Sequence, residues 1–348
     1  MKTYPYGHKQ DIKNLTAEEL GQKVASFGEP AYRTGQLLSW LYQKGMVDFD
    51  RMTNLSNSLK IKLQAEYYIG ALELAGRLVS KDKTEKYLFK LEDGSFVESV
   101  LIKTARRRTV CLSTQVGCKF GCLFCASGKG GFVRNLTPSE ITGQLLYLKD
   151  NLKISITNVV LMGMGEPLDN YANSIKAIKI INSPQGLKIA ARRITISTCG
   201  IIPGIRKLKN EGLQVNLSLS LHAANDVLRD KLMPVNKKYK LKEIIKELEI
   251  YFKKTKRKIT LEYILFKDLN DSSKDAEELA RVAGRLKAKI NLIKYHKISG
   301  ITCRPAGKEE IDRFMKRLQN AGADVTLRVS KGVDINGACG QLAGKIKK

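Results

Sequence analysis

From about residue 108 to residue 328 the chain alternates between short β-prone runs and longer helical patterns. No other feature restricts the fold as much. Candidate strands are Thr109–Ser113, Asn158–Met162, Arg193–Ser197, Gln214–Ser220, Ile259–Leu265, Ile290–Leu292 and Asp324–Arg328. Apolar residues at helical spacing mark Pro138–Lys149, Leu241–Tyr251, Ser273–Leu286 and Glu309–Ala321 between them. Helical crossings return the chain to run parallel with the strand before. The expectation is therefore an α/β chain whose parallel sheet closes, or partly closes, into a (β/α) barrel. Chemistry in such barrels sits at the C-terminal ends of the strands.

The residues before this region read differently. Thr16-Ala17-Glu18-Glu19 is a capping box that opens a helix. Pro30 starts a second, with Leu37, Leu38, Trp40, Leu41 and Tyr42 as its apolar positions, and Asn54–Tyr68 reads as a third. Tyr87–Leu91 and Phe96–Leu101 flank Glu92-Asp93-Gly94-Ser95, which predicts a β-hairpin around an Asp-Gly turn. The predicted organisation is a helical accessory domain over 1–75, the hairpin and linker over 76–103, the barrel over 104–330 and a C-terminal segment over 331–348. There is no internal repeat, low-complexity tract or long linker.

Charge bounds the partners. The chain has 348 residues, with 61 Lys and Arg against 34 Asp and Glu, a net charge of +27. That excess points to a polyanion, with nucleic acid first. No apolar run approaches the roughly 18 residues of a membrane span, so no membrane partner is expected. The opening MKTYPYGHKQDIKN is polar and lacks the apolar stretch of a signal peptide, so the expected compartment is the cytoplasm. Thiols stay reduced there. The seven cysteines are then expected as metal ligands, catalysts or core fillers.

Three of them cluster. Cys118-Lys119-Phe120-Gly121-Cys122-Leu123-Phe124-Cys125 is a C-x3-C-x2-C run just after the first barrel strand, and Gly117 and Gly121 free the backbone to wrap a bulky group. Three thiolates are one short of a closed zinc site, which a distant Cys or His would have to complete. On a four-iron cluster they leave one iron open for an exogenous ligand. Three buried structural thiols are the bland alternative.

The spacing resembles that of the radical S-adenosylmethionine (SAM) superfamily. Further segments narrow the resemblance: Val116-Gly117-Cys118, Asn135-Leu136-Thr137, Gly163-Met164-Gly165-Glu166-Pro167-Leu168, Ser218-Leu219-Ser220-Leu221-His222-Ala223 and Gly337-Ala338-Cys339-Gly340-Gln341-Leu342. With Pro30-Ala31-Tyr32-Arg33, Trp40-Leu41-Tyr42 and Met52-Thr53-Asn54-Leu55-Ser56 they resemble the dual-specificity ribosomal and transfer RNA adenine-C2 methyltransferase family over nearly the whole chain. The resemblance implies a partial (β/α) radical-SAM barrel with an N-terminal RNA-binding domain. It implies a 4Fe-4S cluster on Cys118, Cys122 and Cys125, whose open iron chelates SAM. It implies SAM contacts at Gly165, Glu166, Ser197, Ser220, Leu221 and His222. His296 stands where the family usually has an Asn that touches SAM, and Lys297 where a Pro is usual.

The same resemblance makes Cys339 the methyl carrier, Cys111 the thiol that later pairs with it in a transient disulfide, and Glu98 the proton acceptor. Cys199 and Cys303 match no such role. Two SAM molecules would be used per turnover, and a low-potential donor such as flavodoxin or ferredoxin would supply electrons. The implied substrates are 23S rRNA near the peptidyl-transferase centre and some tRNAs beside the anticodon. Basic runs at Arg106-Arg107-Arg108, Arg192-Arg193, Lys237-Lys238, Lys253-Lys254, Lys256-Arg257-Lys258 and Lys345 with Lys347-Lys348 suit an RNA read by shape. A paralogous adenine-C8 methyltransferase that confers antibiotic resistance shares the cluster and both cysteines; Pro167 and the N-terminal segments favour C2. A non-catalytic, metal-stabilised RNA-binding protein would explain the charge and three cysteines, but not Cys111, Cys339 and the strand-end residues together.

Overall fold

A computed structural model describes residues 8–344. Residues 1–7 and the basic Lys345, Lys347 and Lys348 lie outside the described residues.

The N-terminal helices are α1 (Ala17–Ser26), α2 (Tyr32–Leu38) and α3 (Asn57–Glu66), with a π-helical turn at Ser39–Gln43 extending α2. The capping box forms as the sequence requires: Glu19 N–H donates to Thr16 Oγ1 at 3.2 Å, and Thr16 N–H to Glu19 Oε2 at 2.9 Å. The second helix begins at Tyr32, since Pro30 and Ala31 form the turn into it. The third starts three residues later than predicted because Ser56 serves as its cap, accepting from Leu59 N–H. Leu20, Val24, Leu37, Leu41, Met52, Leu59 and Leu63 form a core of their own, which Leu146 and Ile180 join from two barrel helices.

One ten-stranded sheet carries the rest. Its antiparallel strands are β1 (Glu73–Val79), β2 (Glu85–Lys90) and β3 (Phe96–Lys103). The parallel strands are β4 (Arg108–Cys111), β5 (Asn158–Leu161), β6 (Ile194–Thr198), β7 (Asn216–Ser220), β8 (Ile259–Leu265), β9 (Lys289–Lys294) and β10 (Val325–Arg328). Neighbours in the sheet follow one another along the chain, except that two short strands of a separate sheet, Gln115–Gly117 and Phe132–Asn135, come between β4 and β5. The predicted hairpin is β2–β3, and β3 pairs antiparallel with β4, so the hairpin continues the barrel sheet. β1 was not predicted. Ala75 and Gly76 are weak strand formers, and a bulge interrupts its pairing between Leu74 and Gly76.

Between the parallel strands run α4 (Pro138–Leu152), α5 (Tyr171–Asn182), α6 (Ile202–Leu208), α7 (Asp226–Leu232), α8 (Leu241–Thr255), α9 (Ser273–Leu286) and α10 (Lys308–Asn320). Residues two apart on a strand share a face, and Val159, Leu161, Ile196, Leu217, Leu219, Leu261, Ile290 and Leu292 lie in register as one buried apolar face. Among the described residues β1 and β10 are the two edges and do not pair, so the barrel is partial. The seven parallel strands share one direction, which gathers their C-terminal ends at a single mouth.

Candidate active site

A cleft opens at that mouth. One wall is the loop between two short paired strands, Gln115–Gly117 and Phe132–Asn135, and it carries Cys118, Cys122 and Cys125. Gly117 has φ of +73°, and a Cβ there would lie 1.8 Å from Gly131 O, so the loop closes only with glycine. Cys118 N–H donates to Gly131 O at 2.8 Å and Ala126 N–H to Gly340 O at 2.7 Å. The second bond ties the cysteine loop to the C-terminal segment.

Burial pushes the Cys118 thiol up to about 12 and the Cys122 thiol well above its ordinary value, and the neighbouring cysteines add to both shifts. Thiolates there need a cation to hold them. Among the described residues no three Cys, His, Asp or Glu side chains gather closely enough to hold one metal ion between them. A cube-shaped cluster, which takes each thiolate on a different iron, suits this donor set better than a tetrahedral zinc with Zn–S bonds of about 2.3 Å.

The floor comes from strand ends. Gly163, Gly165 and Glu166 follow β5, Ser197 and Thr198 end β6, Ser220 and His222 end β7, and Ile264 lies near the end of β8. Gly165 has φ of +94°, and a Cβ on it would come 2.5 Å from Gln115 Cβ. Only glycine lets this backbone edge approach so closely. The Glu166 carboxylate is buried and already engaged: Oε1 accepts from Leu168 N–H and Oε2 from Cys199 N–H, at 2.9 and 2.8 Å. It braces β5 against β6, leaving the backbone of this loop as the edge that faces the cleft. Burial nevertheless raises its pKa. Ser197 and Ser220 place their hydroxyls 3.3 Å apart across β6 and β7.

His222 has a left-handed φ of +54°, uncommon for a side chain with a Cβ. Asn270 holds it there by donating to His222 O and to Ile264 O. Nδ1 accepts from Ile264 N–H at 3.1 Å, and Phe124 packs edge-on at 4.7 Å. Burial, helped by the Arg229 charge, pushes the ring down to about 3, so it is neutral and carries its proton on Nε2.

Cys339 lines this cleft from the C-terminal segment, and it is exposed. Cys111 ends β4 and is buried; burial, then the neighbouring Cys339, pushes its thiol up to about 12. Arg328, at the end of β10, raises its own pKa mainly by facing Cys339. Its Nη1 lies 3.6 Å from Met162 Sδ and 3.6 Å from Glu262 Oε2. Glu262 is buried; Oε1 accepts from Asn291, and Oε2 accepts no hydrogen bond.

Three further predicted residues lie off the cleft wall. Leu221 is fully buried in the core. His296 sits in the loop after β9 with Nε2 buried and unpartnered, and burial lowers its pKa. Glu98, on β3, is fully buried; Oε1 pairs with Lys86 Nζ at 2.9 Å, and Oε2 accepts from Ala343 and Gly344 N–H at 2.7 and 3.0 Å. Cys199 lines the cleft beside Thr198, and Cys303 is buried in the core. Among the described residues the basic runs are exposed apart from half-buried Arg257, but Arg106–Arg108, Arg192-Arg193 and Lys256–Lys258 precede β4, β6 and β8 or start them. They stand at the end of the barrel opposite the cleft.

Two polar residues escaped the sequence reading. Arg229 lies among charges in Leu228-Arg229-Asp230-Lys231, which reads as a solvated helix face. It is buried, and it donates to Leu221 O, Cys199 O, Ser220 O and Asn236 Oδ1, stitching the ends of β6 and β7. Arg328 was findable: a cation at the C-terminal end of a barrel strand is placed for chemistry.

A cysteine-lined cleft at the mouth of a partial parallel barrel defines a radical-SAM enzyme. Residues 112–283 match the Radical SAM superfamily, and residues 10–69 match the Ribosomal RNA large subunit methyltransferase N-terminal domain. The chain is 45% identical to the probable dual-specificity RNA methyltransferase RlmN of Thermoanaerobacter sp. (strain X514), over 97% of this chain and 99% of that one. It is 42% identical to the dual-specificity RNA methyltransferase RlmN of Nautilia profundicola, over 96% and 98%. A radical SAM methyltransferase from Sphaerobacter thermophilus superposes with a TM-score of 0.91 at 39% identity, covering 97% of this chain and all of the other. The chain belongs to the RlmN family of dual-specificity RNA methyltransferases. It is a SAM-dependent transferase that works with a 4Fe-4S cluster. No described helix is long and apolar enough to cross a membrane.

Proposed function

We propose that this enzyme methylates C2 of adenosine in 23S rRNA near the peptidyl-transferase centre and in some tRNAs beside the anticodon, with Cys339 as methyl carrier. One observation carries the reading: Cys339 shares the cleft with the three clustered cysteines and faces buried Cys111 and Arg328.

C2 lies between two ring nitrogens and is electron-poor. It cannot attack a sulfonium methyl, but a carbon radical can add to it. Cys118, Cys122 and Cys125 hold the 4Fe-4S cluster, which when bound supplies the single electron that cleaves SAM. Gly165 and Glu166 present a backbone edge to the SAM amino group. Ser197, Ser220 and neutral His222 offer hydroxyls and a ring N–H to its ribose and carboxylate. Leu221 backs that edge from the core, and His296 replaces the usual Asn with one ring nitrogen.

Cys339 takes a methyl group from one SAM, and a second is consumed to remove a hydrogen from that methyl. The methylene carbon, still on Cys339 sulfur, bonds to C2. Glu98 takes the C2 proton, and the odd electron left on the ring would return to the oxidised cluster that the three cysteines would hold. Cys111 thiolate attacks Cys339 sulfur, the S–CH2 bond breaks with its electron pair on carbon, and that carbon takes up a proton to become the methyl of the released RNA; the disulfide left behind is reduced by a flavodoxin- or ferredoxin-class donor. Arg328 faces both cysteines, and its charge opposes the burial that raises the Cys111 thiol. Residues 1–75 form the RNA-binding accessory domain, 76–103 the hairpin that brings Glu98, 104–330 the barrel and 331–348 the carrier segment. The RNA substrates put the enzyme in the cytoplasm.

Nucleoside mass spectrometry tests this after anaerobic incubation of reconstituted protein, SAM, a reductant and a protein-free 23S rRNA fragment. A 2-methyladenosine peak is expected. An 8-methyladenosine peak would move the protein to the C8 chemistry. No methylated adenosine from cluster-loaded protein would overturn the assignment of this RNA and of His296 to the reaction.

A further inference from the structure

Glu98 is a fully buried charge among the proposed reacting groups. It lies on β3, and among the described residues its one cationic partner is Lys86 on the neighbouring strand β2, itself 3% exposed. The two side chains meet at 2.9 Å between Nζ and Oε1. Both also hold the segment that carries Cys339. Lys86 Nζ donates to Asn336 O at 3.3 Å, three residues before Cys339. Glu98 Oε2 accepts from Ala343 and Gly344 N–H, four and five residues after it. The carrier cysteine therefore sits on a span clamped at both ends by one buried ion pair.

This arrangement has a chemical consequence. Oε2 can reach a substrate proton only after its two backbone donors leave. A buried carboxylate that lost both donors and had no cation beside it would be driven to protonate, and a protonated acid cannot accept a proton. Lys86 contacts the other oxygen, so the negative charge stays compensated while the C-terminal segment moves.

We infer that Lys86 is the positioning residue of the proton acceptor: it holds Glu98 ionised and oriented through Oε1, so that Oε2 is free to exchange the Ala343 and Gly344 amides for the C2 proton. The inference rests on the function proposed above. In the step, the C2–H bond breaks and its electron pair stays in the adenine ring. An O–H bond forms on Glu98, and Lys86 remains an ammonium throughout.

The test compares full-length, cluster-loaded wild type with Lys86→Met, Lys86→Gln and Lys86→Arg on RNA fragments bearing hydrogen or deuterium at adenine C2. Methylation of Cys339 by SAM alone, read as intact protein mass, precedes any role for Glu98 and serves as the fold control. Lys86→Met is expected to keep that methylation and to lower 2-methyladenosine formation about a hundredfold, the scale of a lost general base. Its hydrogen-to-deuterium rate ratio is expected to rise above the wild-type value, because proton removal becomes limiting. Lys86→Arg is expected to restore both. A merely structural defect would lower the rate and leave the ratio unchanged, and that result overturns the inference. Should Lys86→Met fail the fold control, Lys86→Gln decides in the same way: a raised ratio supports the inference and an unchanged ratio overturns it. Wild type that makes no 2-methyladenosine overturns this inference together with the function it rests on; normal kinetics in Lys86→Met overturn the inference alone.

Discussion

The floor of the cleft and the segment that carries Cys339 face each other but are built by opposite means. On the floor the polar groups are buried and paired. Arg229 joins three carbonyls across two strand ends, Glu166 is filled by two backbone N–H groups, and Asn270 locks the backbone of His222. Moving any of them would strand several buried groups at once, each costing about 1–3 kcal/mol. Among the described residues the carrier segment has no regular element beyond a short turn at Val333–Ile335, and apart from the Lys86–Glu98 clamp single bonds secure it. Ser127 Oγ donates to Leu342 O, Ala126 N–H to Gly340 O, and Ser80 Oγ to Asp334. A floor that must present the same edge to SAM every time benefits from being over-determined. A carrier that must meet SAM, RNA and Cys111 in turn benefits from bonds that break one at a time.

That contrast can be broken first on the carrier side. Cys339→Ala is expected to abolish 2-methyladenosine while leaving the iron content and the unfolding temperature unchanged. Wild-type methylation by this variant would remove Cys339 from the chemistry. Cys111→Ala should still form the bond to RNA but not release it, so a protein–RNA adduct should accumulate on a denaturing gel.

The floor should respond the other way round. Arg229→Ala leaves buried carbonyls without a donor and is expected to cost about 3–5 kcal/mol in urea unfolding. Activity would fall because the fold fails, and SAM binding by calorimetry should be lost with it. A loss of activity with unchanged stability would show that Arg229 acts on the ligand directly.

Acid sharpens the same point. Folding holds His222 neutral down to about pH 3, against an ordinary value of 6.5. Between those values the unfolded chain binds a proton that the folded chain refuses. The stability it contributes is therefore full above pH 6.5 and is lost as pH falls toward 3, at up to about 1.4 kcal/mol per pH unit. Urea midpoints measured across that window should show the slope in wild type and a flatter one in His222→Gln. The smallest effect belongs to the carrier's tether: Ser127→Ala removes one hydrogen bond, costing about 1 kcal/mol. It should speed hydrogen exchange in residues 338–344 without altering the floor.

Much of this molecule was legible beforehand, and the exceptions share a cause. Ile259–Leu265 and Ser273–Leu286 match their predicted bounds because period-2 and period-3.6 burial are both written in local order. The strand Glu73–Val79 stayed hidden because Ala75 and Gly76 have little intrinsic reason to extend; pairing with β2 supplies it. Basic runs were visible as charge, but the place of Arg106–Arg108, Arg192-Arg193 and Lys256–Lys258 at the far end of the barrel follows only from the common direction of the parallel strands. Arg229 looked like a solvent-facing residue because nothing local reveals that three carbonyls from two other elements converge on it.

By itself the sequence determined the strand–helix rhythm, the spaced cysteines, the glycines that allow close backbone approach and the positive charge. Each is a property of neighbours along the chain. Only the tertiary structure decided that Cys339, more than 200 residues from the cysteine loop, shares its cleft, and that Glu98 lies sealed between Lys86 and the C-terminal segment. Those relations depend on which distant groups a closed-up sheet buries together, and buried polar atoms find their partners only once the chain has excluded water from them.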